Sequence, residues 1–195
     1  MYLKQIENKG IQTDKFYVPP FTLNEGEIIV VNLFSGAHFY ETEMFLKDLF
    51  CGNTPHENVI IHKKMTFVEH FRESKFRDIF YPMTVSEYLK KNANPANPYS
   101  EKIYETEWIT KKIKVNTLTG SPRKLLSLYT TLSNTNNIIF DLVGLGPDGA
   151  QENYKIVKEV VKNGGSAILL DGYDEMKNDC TKYIELQWAQ EYLTS

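Results

Sequence analysis

The sequence predicts an α/β fold: a parallel sheet core flanked by helices, preceded by an antiparallel β part at the N-terminal end. Three observations lead there. Uninterrupted apolar runs occur at 28–31, 138–140 and 167–170, the form a strand takes when both of its faces are buried. Between these runs lie segments with apolar residues at i, i+3, i+4 spacing, such as Phe45, Leu46, Leu49 and Phe50, the signature of amphipathic helices. Strands that alternate with such helices build a parallel sheet.

Residues 2–7 and 16–23 read as an opening hairpin or edge pair, with Tyr17, Val18, Phe21 and Leu23 apolar, while Pro19-Pro20 excludes a central strand there. The turn Asn24-Glu25-Gly26 leads into the buried run at 28–31. The helix carrying Phe45 to Phe50 stops at Gly52-Asn53-Thr54-Pro55, and residues 59–61 and 65–68 are short strands. The stretch 69–83 is basic-aromatic and irregular. Thr84 caps a short helix with Glu87 in place for a capping box. Residues 92–98, rich in Asn and Pro, form a loop, and 101–114 is anchored by Trp108 and Ile109. Ser121 and Pro122 are an N-cap and first-turn pair for a helix with Leu125, Leu126, Leu128, Tyr129 and Leu132 inward. A helix from 150 to 162 turns Tyr154, Val157 and Val161 inward and ends at Asn163-Gly164-Gly165. A short helix at 175–179 and a strand at 183–186 complete the pattern.

Composition narrows the function classes. The 195 residues are 42% hydrophobic and 24% charged with net charge −3, enough for one domain with a proper core. No lysine-arginine block supports nucleic-acid binding. No run approaches the roughly 18 apolar residues of a membrane span, and the N-terminal residues lack the apolar core of a signal peptide, so a cytoplasmic location is expected. Cys51 and Cys180 lack CxxC spacing and read as reduced thiols. His38, His56, His62 and His70 show no metal-ligand spacing, and Ser35 is outside any nucleophile elbow. Asp141 closes a buried strand, where α/β folds place ligands. The acidic group Asp171, Asp174, Glu175 and Asp179 reads as a solvated helix start.

Chemistry concentrates on the loop Ser35-Gly36-Ala37-His38-Phe39. Strand, glycine loop and helix is the layout of a phosphate-cradling loop, which needs a lysine and a hydroxyl for phosphates and magnesium. Phe39 stands where that lysine belongs, and Tyr40-Glu41 where the small residue and the hydroxyl belong. The aromatic cluster Phe34, Phe39 and Tyr40 either packs the emptied pocket or forms an exposed contact patch; packing is the expectation.

Taken in order, these segments resemble the nucleotide-binding domain of ABC transporters across nearly the whole chain. FTLNEGEIIVV is similar to the strand entering that family's phosphate loop, and NLFSGAHFYE occupies the loop's place, keeping Gly36 and Ala37. FYPMTVSEYL resembles the start of the helical subdomain, LTGSPRKLLSLYTTL the signature sequence and its helix, and IIFDLVGLGPDG the magnesium-site strand, with Asp141 and Asp148 matching. GGSAILLDGYDE falls where the family carries its switch histidine.

The resemblance implies a P-loop NTPase-like, ABC ATPase-type fold over 1–195, with a reduced helical subdomain at 84–117. The departures bear on activity. Phe39 replaces the loop lysine, His38 its neighbouring glycine, Leu33 the first loop glycine, Leu142 the catalytic glutamate, Ser121 and Pro122 the signature's next glycine and glutamine. Asp171 or Gly172 stands for the switch histidine, and residues 69–79 hold no glutamine for the middle loop. Phosphoryl transfer depends on cationic clamping and a positioned water. The expectation is a non-hydrolytic structural or regulatory subunit of a membrane transport complex, with no catalytic residue and no bound cofactor, ATP and magnesium included. The degenerate nucleotide-site positions are Ser35, Gly36, Ala37, His38, Phe39, Asp141, Gly120 and Ser121. Its partner would be a membrane permease or a homologous ATPase, in a homo- or heterodimer, with Gly120 and Ser121 facing the partner's loop. The alternatives are an interaction module that kept the fold, an active ATP-binding subunit with divergent motifs, and an unrelated enzyme using Asp141 and the acidic group with a divalent metal.

Overall fold

A computed structural model describes residues 3–71 and 81–189. The segment 72–80, most of the basic-aromatic stretch, lies outside the described residues, as does Phe80 of FYPMTVSEYL. The chain divides into two compact units: residues up to 67, 137–143 and from 157 onward, and residues 68–136 with 144–156. The region expected as a helical subdomain, 84–117, lies inside the second.

The first unit is built on a five-stranded parallel sheet. Its strands are β5 (Ile28–Asn32), β7 (Thr66–Phe67), β8 (Asn137–Phe140), β9 (Ser166–Asp171) and β10 (Lys182–Glu185), in the order β10-β5-β9-β8-β7. Every residue of β5, β8 and β9 is buried, as uninterrupted apolar runs require. Each fully buried Ile, Val or Leu in them contributes about 1.5–3 kcal/mol of transfer free energy. Helix α1 (Phe39–Phe50) follows β5 and buries Leu46, Leu49 and Phe50. Phe45, expected on the same buried face, is on its exposed flank, its ring edge-on to Phe16 at 5.9 Å.

The antiparallel part differs from the expected hairpin. Strand β1 (Lys4–Asn8) pairs with β4 (Phe21–Asn24) on one side and β6 (Val59–Ile61) on the other. Strand β3 (Phe16–Val18) belongs to a separate sheet between β2 (Ile11–Gln12) and β11 (Gln187–Trp188). Pro19-Pro20 marks the passage between the two sheets: neither residue has an amide N–H to give a ladder, so pairing stops there.

In the second unit α2 (Val85–Asn92) opens on the expected capping box: Thr84 accepts from the Glu87 N–H at 3.2 Å, and Glu87 accepts from the Thr84 N–H at 2.7 Å. The Asn-Pro loop leads into a 3-10 helix at Pro98–Glu105, capped by Asn97. Ile109 anchors this stretch in a core with Ile103, Val115, Leu118, Leu125 and Leu126. Trp108, expected beside it as an anchor, is 53% exposed. Helix α3 (Ser121–Asn134) is capped by Gly120, not Ser121. At φ 59° Gly120 turns the chain into the helix one residue early, and Pro122 at the second position still costs no helical hydrogen bond. Helix α4 (Pro147–Lys162) starts three residues before the expected 150, and its first half, with α3, belongs to the second unit. A Cβ on Gly149 would overlap Ser121 Oγ, so the two helix starts touch backbone to side chain. The short helix expected at 175–179 is a 3-10 turn at Lys177–Asp179.

Candidate functional site

The C-terminal ends of β5, β8 and β9 share one edge of the parallel sheet, the edge where α/β folds place ligands. The loop after β5 is held there from below. Asn32, buried at the strand end, accepts from the Phe34 N–H at 2.8 Å and donates from Nδ2 to the Tyr183 hydroxyl at 2.5 Å. The Leu33 N–H donates to Asp171 O at 2.7 Å, and Trp188 Nε1 donates to Leu33 O at 3.2 Å. Phe34 sits at φ 59°, the left-handed region, which costs a non-glycine residue roughly 1–2 kcal/mol. The Asn32 acceptor holds it there.

Ser35, Gly36 and Ala37 are exposed, and the Phe39 N–H turns back to Gly36 O at 3.2 Å to start α1. The Phe39 ring packs against the first unit's core and onto Gly172, where an added Cβ would meet the ring at 3.2 Å. Packing, expected for the whole aromatic cluster, therefore describes Phe39 alone. Phe34 is 44% and Tyr40 55% exposed. The helical period explains Tyr40: Thr42, Glu43 and Leu46 face inward, so Tyr40 and Glu41 face out. Glu41 binds Lys15 Nζ at 3.0 and 3.2 Å, which holds its carboxyl below the usual range. His38 lies 3.9 Å from Glu41 and 5.8 Å, ring to ring, from Trp188.

Asp141 is fully buried after β8, its Oδ1 accepting from the Val143 N–H at 2.9 Å. Asp171 closes the neighbouring strand and accepts from the Gly172 and Tyr173 N–H groups at 2.8 and 3.3 Å. Burial pushes its carboxyl up to about 6; those two N–H groups oppose the shift, and Glu175 and Asp141 add to it. Among the described residues no group of three or more His, Cys, Asp or Glu is arranged to hold a metal ion.

Six of the expected positions, Ser35, Gly36, Ala37, His38, Phe39 and Asp141, thus lie at one edge of the first unit, and Gly120 and Ser121 open α3 in the second. Sequence reasoning missed Asn32, Tyr183, Trp188 and the contact of Phe39 with Gly172. An asparagine closing an otherwise apolar strand was the available signal for the first. The others join positions more than 130 apart in sequence and left none.

The sequence matches no protein-family model and no curated protein. Solved structures match over nearly the whole chain. A protein assigned as a metal-chelate type ABC transporter, in an inward-facing conformation, superposes with TM-score 0.70 at 15% identity, covering 97% of this chain and 83% of that one. A protein of Pyrococcus furiosus assigned as an ABC transporter ATP-binding protein gives 0.68 at 16% identity over 93% and 96%. A nucleotide-free ATP-binding cassette gives 0.63 at 15% identity over 98% and 93%. At these identities the likeness is one of fold, and it agrees with the parallel sheet, the flanking helices and the antiparallel part. The chain has the fold of the ATP-binding cassettes of ABC transporters.

Proposed function

We propose that this chain is a non-hydrolytic cassette, a structural or regulatory subunit of a membrane transport complex at the cytoplasmic face of a membrane. One observation carries the reading: the Phe39 ring fills the corner between the loop after β5 and Gly172 after β9. A terminal phosphate bound by this fold needs a cation and backbone N–H groups in that corner. An aromatic edge supplies neither and takes up the volume, while Lys15, the nearby basic side chain, is already paired with Glu41. The residues present therefore do not fit magnesium-ATP, and no reaction step is assigned to it.

Without nucleotide chemistry, the subunit works through contacts. Phe34 follows β5, Tyr40 opens α1 and Tyr173 follows β9, and all three are exposed; these side chains are the contacts assigned to the partner. The partner class is a permease or a second ATPase subunit, with Gly120 and Ser121 as the contact toward a partner's phosphate loop.

Thermal unfolding with millimolar magnesium-ATP tests this. Binding at a hundredfold excess over Kd stabilises a native state by about 2.7 kcal/mol, a rise of about 5–10 °C for a chain of this size. The expected result is no shift. A shift of several degrees, or ATP turnover above that of a protein-free blank, overturns the reading.

A further inference from the structure

We infer that the free edge of β6, together with the cleft beside it, is a docking site for an acidic, extended peptide segment that adds as a strand. β6 is the outer strand of the β4-β1-β6 sheet. Its inner register is fixed by the Lys9 N–H donating to Asn58 O at 2.8 Å and the His62 N–H donating to Gln5 O at 2.9 Å. Backbone groups alternate along an antiparallel ladder. Those of Asn58, Ile60 and His62 therefore face β1, and those of Val59 and Ile61 face outward. The Val59 N–H returns to His56 O at 3.0 Å, leaving the Val59 carbonyl and both Ile61 groups as the open edge.

The same two residues send their side chains to a cleft of about 470 Å³ between β6 and the turn that ends α1, with Leu49, Cys51, His56 and Lys64 among its walls. A strand added to this edge would place every second side chain on the face of Val59 and Ile61, over the cleft. Backbone pairing and a side-chain pocket thus coincide.

Charge selects the occupant. Lys63 and Lys64 follow the strand directly, both exposed and, among the described residues, without an ion-pair partner, while His62 is taken up by Glu7 Oε1 at 2.7 Å. His56 accepts the Asn58 N–H at Nδ1, at 3.1 Å, which leaves its proton on Nε2 as a donor. Basic residues flanking an edge discourage pairing with another copy of the same edge, so a second copy of this chain is repelled and an acidic segment is attracted. This site stands apart from the reading of the loop after β5 and does not depend on it.

The test is fluorescence polarisation on the full chain with the labelled peptide Asp-Glu-Val-Thr-Val-Glu-Asp, beside two controls. One control carries lysine at the four acidic positions; the other is N-methylated at alternate amides. Saturable binding is expected for the first peptide only, weakened about tenfold in the double variant Lys63→Glu, Lys64→Glu and by high salt. Circular dichroism of that variant should match the parent, since both substituted side chains are exposed. No saturable binding of the acidic peptide overturns the proposal. Equal binding of the lysine peptide overturns the charge selection, and equal binding of the N-methylated peptide overturns strand addition in favour of a side-chain-only pocket.

Discussion

Replacing Asp171 by asparagine should stabilise this protein above neutral pH and leave it unchanged in acid. Asp171 is buried at the end of β9, and its carboxyl is raised from 3.8 to about 6 by burial, with Glu175 and Asp141 adding to the shift. A group whose folded value is raised binds more protons in the native state than in the unfolded one between those two values. Stability therefore falls as pH climbs from about 4 to about 6, and the full penalty is present above 6. At 1.36 kcal/mol per pH unit the penalty amounts to up to about 3 kcal/mol at pH 8. Asparagine keeps an oxygen at Oδ1, so the Gly172 and Tyr173 N–H groups keep their acceptor, and only the ionisation is removed. Urea unfolding at pH 4, 6 and 8 measures the difference between variant and parent, which cancels the ordinary carboxylates elsewhere. The gap should be near zero at pH 4, open through pH 6 and reach its limit by pH 8. A gap that is the same at pH 4 and pH 8, or a variant less stable than the parent at pH 8, would refute the reasoning.

Three further outcomes follow from single contacts. Thr84→Ala removes the capping box of α2 and should cost about 0.5–2 kcal/mol in urea unfolding with an unchanged m value. Gly149→Ala should lose most of the roughly 1 kcal/mol that alanine gains over glycine inside a helix, because its Cβ overlaps Ser121 Oγ and that hydroxyl has to rotate away. Adding Ser121→Gly should return most of that loss, which a double-mutant cycle reads as coupling between the two helix starts. Lys182→Ala removes the Nζ bonds to Glu27 Oε2 at 2.7 Å and Thr22 O at 2.6 Å and should cost about 1–2 kcal/mol at pH 7. Burial raises the Glu27 carboxyl, but Lys182 and Asn24 outweigh it and hold it below 4.5. The stabilisation from that pair is therefore present above 4.5 and lost as pH falls below it, so the Lys182→Ala gap should narrow in acid.

The parallel sheet was legible because its signal is local. A strand buried on both faces carries an uninterrupted apolar run, and β5, β8 and β9 each show one of three or four residues, with polar residues only at their ends. The capping box of α2 was legible for the same reason, since Thr84 and Glu87 are three positions apart. The antiparallel part was not. Short half-buried strands such as β1 and β3 carry no mark of which partner they take, and β3 pairs with β11, from the far end of the sequence. Trp108 misled because an aromatic residue reads as an anchor wherever it stands, while the neighbouring Ile109 does the anchoring.

Fold and chemistry separate in this chain along the same line. What builds the sheet is transfer of apolar strands from water, and that depends on Ile28 to Val31 or Ala167 to Leu170 without reference to the loops between them. What would bind a phosphate is a handful of loop atoms, and those can change while the sheet stays whole. On the function proposed above, Phe39 is where such an exchange took place. A lysine at that position would carry a charge into the corner beside Gly172 and Asp171. A phenylalanine instead extends the core, touching Gly172 and the first unit's apolar cluster. Protein groups supply contacts to this loop: Asn32 holds the Phe34 N–H, Asp171 O the Leu33 N–H, and Trp188 the Leu33 carbonyl. On the function proposed above, these internal contacts would present Phe34, Tyr40 and Tyr173 to a partner on a loop that the chain itself holds in place.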